Sequence, residues 1–80
     1  MTTHAKLFTD GGARGNPGPA GSGAWLQDVA TGEKIAELAL YLGEQTNNYA
    51  EYMALIEGMR MAKEKGVTQL EVHMDSQLIV

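Results

Sequence analysis

The chain has 80 residues, no cysteine and a formal net charge of −4 at pH 7. A core of that size only marginally outweighs the entropy of ordering the chain, which favours a larger parent domain or an oligomer, and the lack of cysteine excludes a disulfide framework or a thiolate metal site. The acidic balance argues against a binder that grips phosphates through a basic face of its own, whereas divalent cations held among carboxylates would supply positive charge locally.

The opening run MTTHAKLFTD has too short an apolar stretch for a signal peptide. No segment approaches the roughly 20 apolar residues that span a bilayer. The setting expected from this is soluble, non-secreted and cytoplasmic, with no membrane partner. Residues 4 to 10, HAKLFTD, read as a strand stopped by the double glycine that follows, leaving Asp10 at its C-terminal end. From Gly11 to Gly23 small residues dominate, with a turn signal at Asn16-Pro17-Gly18, and the expectation is a loop of little bulk. Ala24 to Asp28 and Ile35 to Leu42 are apolar-rich runs flanking VATGEK, where Gly32 offers the left-handed conformation that a hairpin loop needs.

Residues 48 to 65 make the best helix, opened by Thr46-Asn47-Asn48 and closed by Lys63, Lys65 and Gly66. Leu55, Gly58, Met59 and Ala62 are expected to form its packing stripe, headed by Glu51. Residues 69 to 75 alternate Leu70, Val72 and Met74 against Glu71, His73 and Asp75, which predicts a half-buried strand ending in an acid. SQLIV would begin a second helix. No repeat or linker divides residues 1–80, which are read as a single, partial domain.

These elements constrain one another. If the first three strands form a meander, the helix must return the chain by a right-handed crossover for a fourth strand parallel to the first. The first strand then lies between the second and fourth. The ends of strands one and four and the start of the helix meet at one sheet edge, where α/β proteins place ligands. Asp10, Glu51 and Asp75 stand at those three points. Clustered carboxylates without matching cations repel one another, and hard divalent ions with oxygen ligands relieve this. Magnesium is the natural candidate, with manganese as a substitute.

Each residue also has a plainer reading. Glu51 fits a capping-box position three residues after an Asn48 N-cap, and Asp10 and Asp75 taken singly fit turn acids. Asn47 and Asn48 are suited to helix capping. His73 shares the face of Asp75 but is unnecessary in an all-oxygen site, so it is assigned a structural or exposed role, and His4 is a bystander near the terminus. Met53, Met59, Met61 and Met74 are expected as core filler, and Trp25 and the tyrosines as amphipathic core residues. The glycine-rich run lacks the Gly-Lys-Ser/Thr of a phosphate-binding loop.

Three blocks in order, DGGARGNPGPAGSG after a strand, TNNYAEYMALIEGM opening the helix and MDSQ closing the last strand, resemble type 1 ribonuclease H over essentially the whole chain. The resemblance implies a ribonuclease H-like α/β fold of order β-β-β-α-β plus the start of a second helix. It also implies endonucleolytic hydrolysis of the RNA strand of RNA/DNA hybrids, with 5′-phosphate and 3′-hydroxyl products. Asp10, Glu51 and Asp75 then correspond to three carboxylates of a site for two Mg²⁺ or Mn²⁺ ions. Gly12, Asn16, Asn47, Asn48 and Gln77 correspond to substrate contacts, and the ribose 2′-hydroxyl would mark the RNA strand.

The resemblance ends at Val80, about the middle of the family's domain. The fifth strand, the later helices, a basic gripping segment and a fourth carboxylate are all beyond it. Cleavage is therefore expected of the complete protein, with little from these 80 residues alone. Two other roles remain open, a non-catalytic hybrid-binding module and an assembly fragment completed by another chain. An uncovered sheet edge would also favour self-association.

Overall fold

The computed structural model describes residues 3–74. Asp75, Gln77 and the second helix expected from SQLIV lie outside those residues. Strands β1 (His4–Ala13), β2 (Gly18–Asp28), β3 (Lys34–Gln45) and β4 (Gln69–Met74) form one sheet, with helix α1 (Asn47–Glu64) between β3 and β4 in sequence. The sheet order is β3-β2-β1-β4. The β1–β2 and β2–β3 pairs are antiparallel and β1–β4 is parallel, as the meander and crossover require.

The double glycine does not end β1. Asp10, Gly11, Gly12 and Ala13 stay paired with Gly23, Ser22, Gly21 and Ala20, so the loop expected over residues 11 to 23 shrinks to the bend at 14–17, where the peptide before Pro17 is cis. The small residues serve close approach within the sheet and against the helix. An added Cβ at Gly11 would meet the Ala50 carbonyl, 2.5 Å from its carbon, and would lie 2.8 Å from the Glu51 nitrogen. The β2–β3 hairpin turns at Gly32 (φ 76°), as its sequence predicts.

Helix α1 is capped by Thr46, whose side chain accepts a hydrogen bond from the Tyr49 nitrogen. This corrects the Asn48 cap and also removes the capping-box reading of Glu51, which lies two residues beyond the N3 position, Tyr49. At the other end Gly66 adopts a φ of 75°, the left-handed stop expected after a helix. Ala50, Glu51, Ala54, Gly58, Met61 and Ala62 are buried. The expected stripe was therefore rotated: Gly58 and Ala62 pack inward, whereas Met59 is exposed. Alternation along β1 puts Ala5, Leu7, Thr9 and Gly11 beneath the helix. The core joins Ala5, Leu7, Ala24, Leu26, Met61 and Ala62, and its many alanines let the helix sit close to the sheet.

The opposite face of the sheet carries a row of rings. Phe8 is in register with Trp25 on one side and His73 on the other, and its ring stacks on both, with centroids 4.3 and 5.1 Å away. Trp25 and all three tyrosines, Tyr41, Tyr49 and Tyr52, are exposed, against the expectation of core positions. Trp25 alternates with the buried Ala24 and Leu26 and so falls on the sheet face away from the helix, and Tyr49 and Tyr52 lie off the buried face of α1. β4 is likewise more open than a half-buried strand: Leu70 packs on the core while Val72 and Met74 are exposed. Of the methionines expected inside, Met61 is buried; Met59 and Met74 are not.

Candidate active site

The two acids that lie within the described residues sit on neighbouring segments of backbone, with their side chains lining separate clefts. Asp10 follows Thr9, the last β1 residue paired with β4, and precedes Gly11, which touches the backbone at Ala50 and Glu51. Asp10 is exposed and Glu51 is buried, 7% accessible. Asp10 lines one cleft with Phe8, Trp25, His73 and Met74. Glu51 lines a second with Asn48, Tyr52, Leu55 and Met74. Met74 borders both clefts, and the residue after it in sequence is Asp75.

The start of α1 is fastened to the sheet by side-chain hydrogen bonds. The Ser22 hydroxyl, itself buried, donates to the Ala50 carbonyl at 2.5 Å. The Ala13 nitrogen donates to Asn47 Oδ1 at 2.7 Å, and the Asn47 nitrogen donates to Asn16 Oδ1 at 3.2 Å. Asn16 and Asn47, read as substrate contacts, thus have their amide oxygens engaged within the protein. Their NH₂ groups remain to donate outward. Asn48 is exposed at the helix start, and Gly12 is half-buried within β1. Thr46 as the cap and Ser22 as a tie were not anticipated. Threonine before two asparagines left three competing caps, and a serine among glycines gives no sign of its partner.

Among the described residues, Glu51 Oε1 is a buried side-chain oxygen without a hydrogen-bond partner. Leaving a buried acceptor unsatisfied costs about 1–3 kcal/mol, and more when the group is charged. A hard cation is the partner that suits a carboxylate oxygen so placed. The donor set therefore fits a divalent ion, although the described residues alone contain no group of three His, Cys, Asp or Glu side chains able to hold one. The expected third carboxylate, Asp75, is outside them.

A mixed sheet in this strand order, with one crossover helix carrying a buried glutamate near its start, defines an α/β domain of ribonuclease H-like architecture. The ribonuclease H family model matches residues 2–80, and the chain belongs to that family. It resembles the N-terminal RNase H domain of a bifunctional protein of Mycobacterium tuberculosis. The curated sequence of that protein is 51% identical over 76 residues, covering 92% of this chain and 20% of the relative. Its domain, solved as a fusion with maltose binding protein, superposes with a TM-score of 0.90 at 43% identity, over 99% of this chain and 57% of the other. RNase H1 of the halophilic archaeon Halobacterium salinarum gives a TM-score of 0.86 at 41% identity, over 95% of this chain and 57% of that one. LC11-RNase H1, solved in complex with an RNA/DNA hybrid, gives 0.83 at 46% identity, with coverage of 95% and 57%. The chain thus spans little more than half the length of these solved relatives and a smaller share of the mycobacterial protein.

Proposed function

We propose that the complete protein is a metal-dependent endonuclease that hydrolyses the RNA strand of RNA/DNA hybrids, leaving 5′-phosphate and 3′-hydroxyl ends. The observation that carries this reading is the buried, unpartnered Glu51 Oε1 beside the strand that bears Asp10. Asp10, Glu51 and Asp75 would hold the ions. Two bound Mg²⁺ ions, or Mn²⁺ in their place, would supply an activated water and charge stabilisation at the leaving 3′ oxygen. Gly12, Asn16, Asn47, Asn48 and Gln77 would contact the hybrid. With their oxygens engaged internally, the Asn16 and Asn47 amides can offer donors to acceptor atoms of the substrate, the ribose 2′ oxygen among them. A cytoplasmic setting suits a cysteine-free protein of this activity.

A second reading concerns the 80 residues by themselves. β4 has β1 as its neighbour and leaves Val72 and Met74 exposed, and unpaired strand edges recruit further strands. The chain would then be an assembly fragment, completed by the rest of a ribonuclease H domain and self-associating without it. One experiment addresses both readings. A labelled RNA strand annealed to DNA is incubated in Mg²⁺ with the chain alone, then with the complementary half of the domain added as a separate polypeptide. Cleavage should appear on completion and vanish again with Asp10→Asn. Efficient cutting by the monomeric short chain would overturn the fragment reading, and undiminished cutting by completed Asp10→Asn would overturn the metal-site assignment.

A further inference from the structure

We propose that Ser22 is a positioning residue for Glu51, setting where its carboxylate stands relative to Asp10 and thereby the affinity of the site for a divalent ion. This rests on the reading that the two acids hold the ion. Ser22 is the cross-strand partner of Gly11, and its hydroxyl donates to the Ala50 carbonyl from a position only 5% accessible. Gly11 in turn has the Ala50 carbonyl and the Glu51 nitrogen where a side-chain carbon would stand. Three residues from β1, β2 and α1 therefore meet at one point. The residue before Gly11 is Asp10, and the residue after Ala50 is Glu51.

At this junction Gly11 limits how closely the helix start can approach, since its backbone is already in contact with it. Ser22 prevents the helix start from moving away. Ser22 stands one step further from an ion than the outer partners that bond directly to a metal ligand, whose loss typically weakens binding about 10–100-fold, so the low end of that range is expected. The hydroxyl is engaged with the Ala50 carbonyl and would not itself hold the ion. Ser22 acts through the helix backbone.

The test compares Mn²⁺ affinity with metal-free stability in the full chain. Free Mn²⁺ is followed by electron paramagnetic resonance, and unfolding in urea is followed in the presence of EDTA. Ser22→Ala should bind Mn²⁺ about tenfold more weakly, while Ser22→Thr, which keeps the hydroxyl, should stay near the unaltered chain. Leu26→Val, a comparable loss in the core remote from the junction, should lower stability without changing Mn²⁺ affinity. If Ser22→Ala fails to fold, Ser22→Cys replaces it, with similar volume and a weak donor. Unchanged Mn²⁺ affinity in the variant lacking the hydroxyl, or an equal loss in Leu26→Val, would overturn the positioning role while leaving the metal site in place. Failure of the unaltered chain to bind Mn²⁺ would instead overturn the metal reading and this proposal with it.

Discussion

Replacing Gly11 by alanine should separate close packing from conformational freedom at the junction. Gly11 does not adopt a positive φ, so alanine is sterically allowed by the backbone and would gain about 0.5–1 kcal/mol relative to glycine within a strand. The new methyl carbon, however, would lie 2.5 Å from the Ala50 carbonyl carbon and 2.8 Å from the Glu51 nitrogen. Ordinary van der Waals contact begins near 3.4 Å, so the helix start must retreat by close to an ångström. Backbone gives way less readily than a side-chain tip, and overpacking of this kind costs about 1–3 kcal/mol. The net expectation is a loss of about 1 kcal/mol, or about 4–8 °C in melting temperature for a domain of this size. Displacement of Glu51 by that distance should also lower cleavage by the completed enzyme about a hundredfold. Urea unfolding in EDTA measures the first effect and initial rates on a labelled hybrid the second. A Gly11→Ala protein as stable as the original would refute the claim that this glycine is required by contact.

Glu51→Gln should fold normally in EDTA but lose the stabilisation by Mn²⁺, which for an intact site at a hundredfold excess over Kd amounts to about 2.7 kcal/mol; equal gains in melting temperature for both proteins would remove Glu51 from the site. Thr46→Ala deprives the Tyr49 nitrogen of its acceptor and should cost about 1 kcal/mol by urea unfolding, whereas the same change at Asn48 should cost less. Gly58→Ala tests the thin core. Although the substitution favours an exposed helix by about 1 kcal/mol, the added carbon would lie 3.0 Å from both Leu7 methyls, and Leu7 is fully buried. A net loss of about 1 kcal/mol is expected, and a rise in stability would show that Leu7 has room to move.

Turn chemistry was the most legible part of the sequence. Gly32 and Gly66 mark real left-handed positions, and the hairpin and the helix end fall where they predict. The same residue type misled at Gly11 and across residues 18 to 23, because glycine chosen for contact looks in sequence like glycine chosen for a turn. The contacts involved come from α1 and β3, distant in the chain. The strand order followed from a meander closed by a right-handed crossover, which also lays the Glu51 segment of α1 against the Gly11 segment of β1. The outward aromatic row did not, since an alternating strand indicates two faces without saying which one the helix covers. Small residues on the helix side of β1 and β2, such as Ala5, Ala20 and Ala24, were the available sign that the larger rings belonged opposite. Ser22 was hidden for a different reason: a hydroxyl takes whatever acceptor the fold brings to it.

The placement of β1 between β2 and β4 has a consequence for how the sheet assembles. β1, β2 and β3 are consecutive hairpin partners and can zip together as soon as they leave the ribosome. β4 must instead find β1 across the whole chain, with Gln69 opposite His4. Closing so long a loop costs about 2 kcal/mol more than closing a short hairpin. Docking α1 across β1 and β2 first shortens the remaining search to the few residues between the helix end and β4. Residues 50 to 62 therefore serve as the splint against which the final strand is laid, and β4 should be the last strand to gain protection from hydrogen exchange during refolding and the first to lose it.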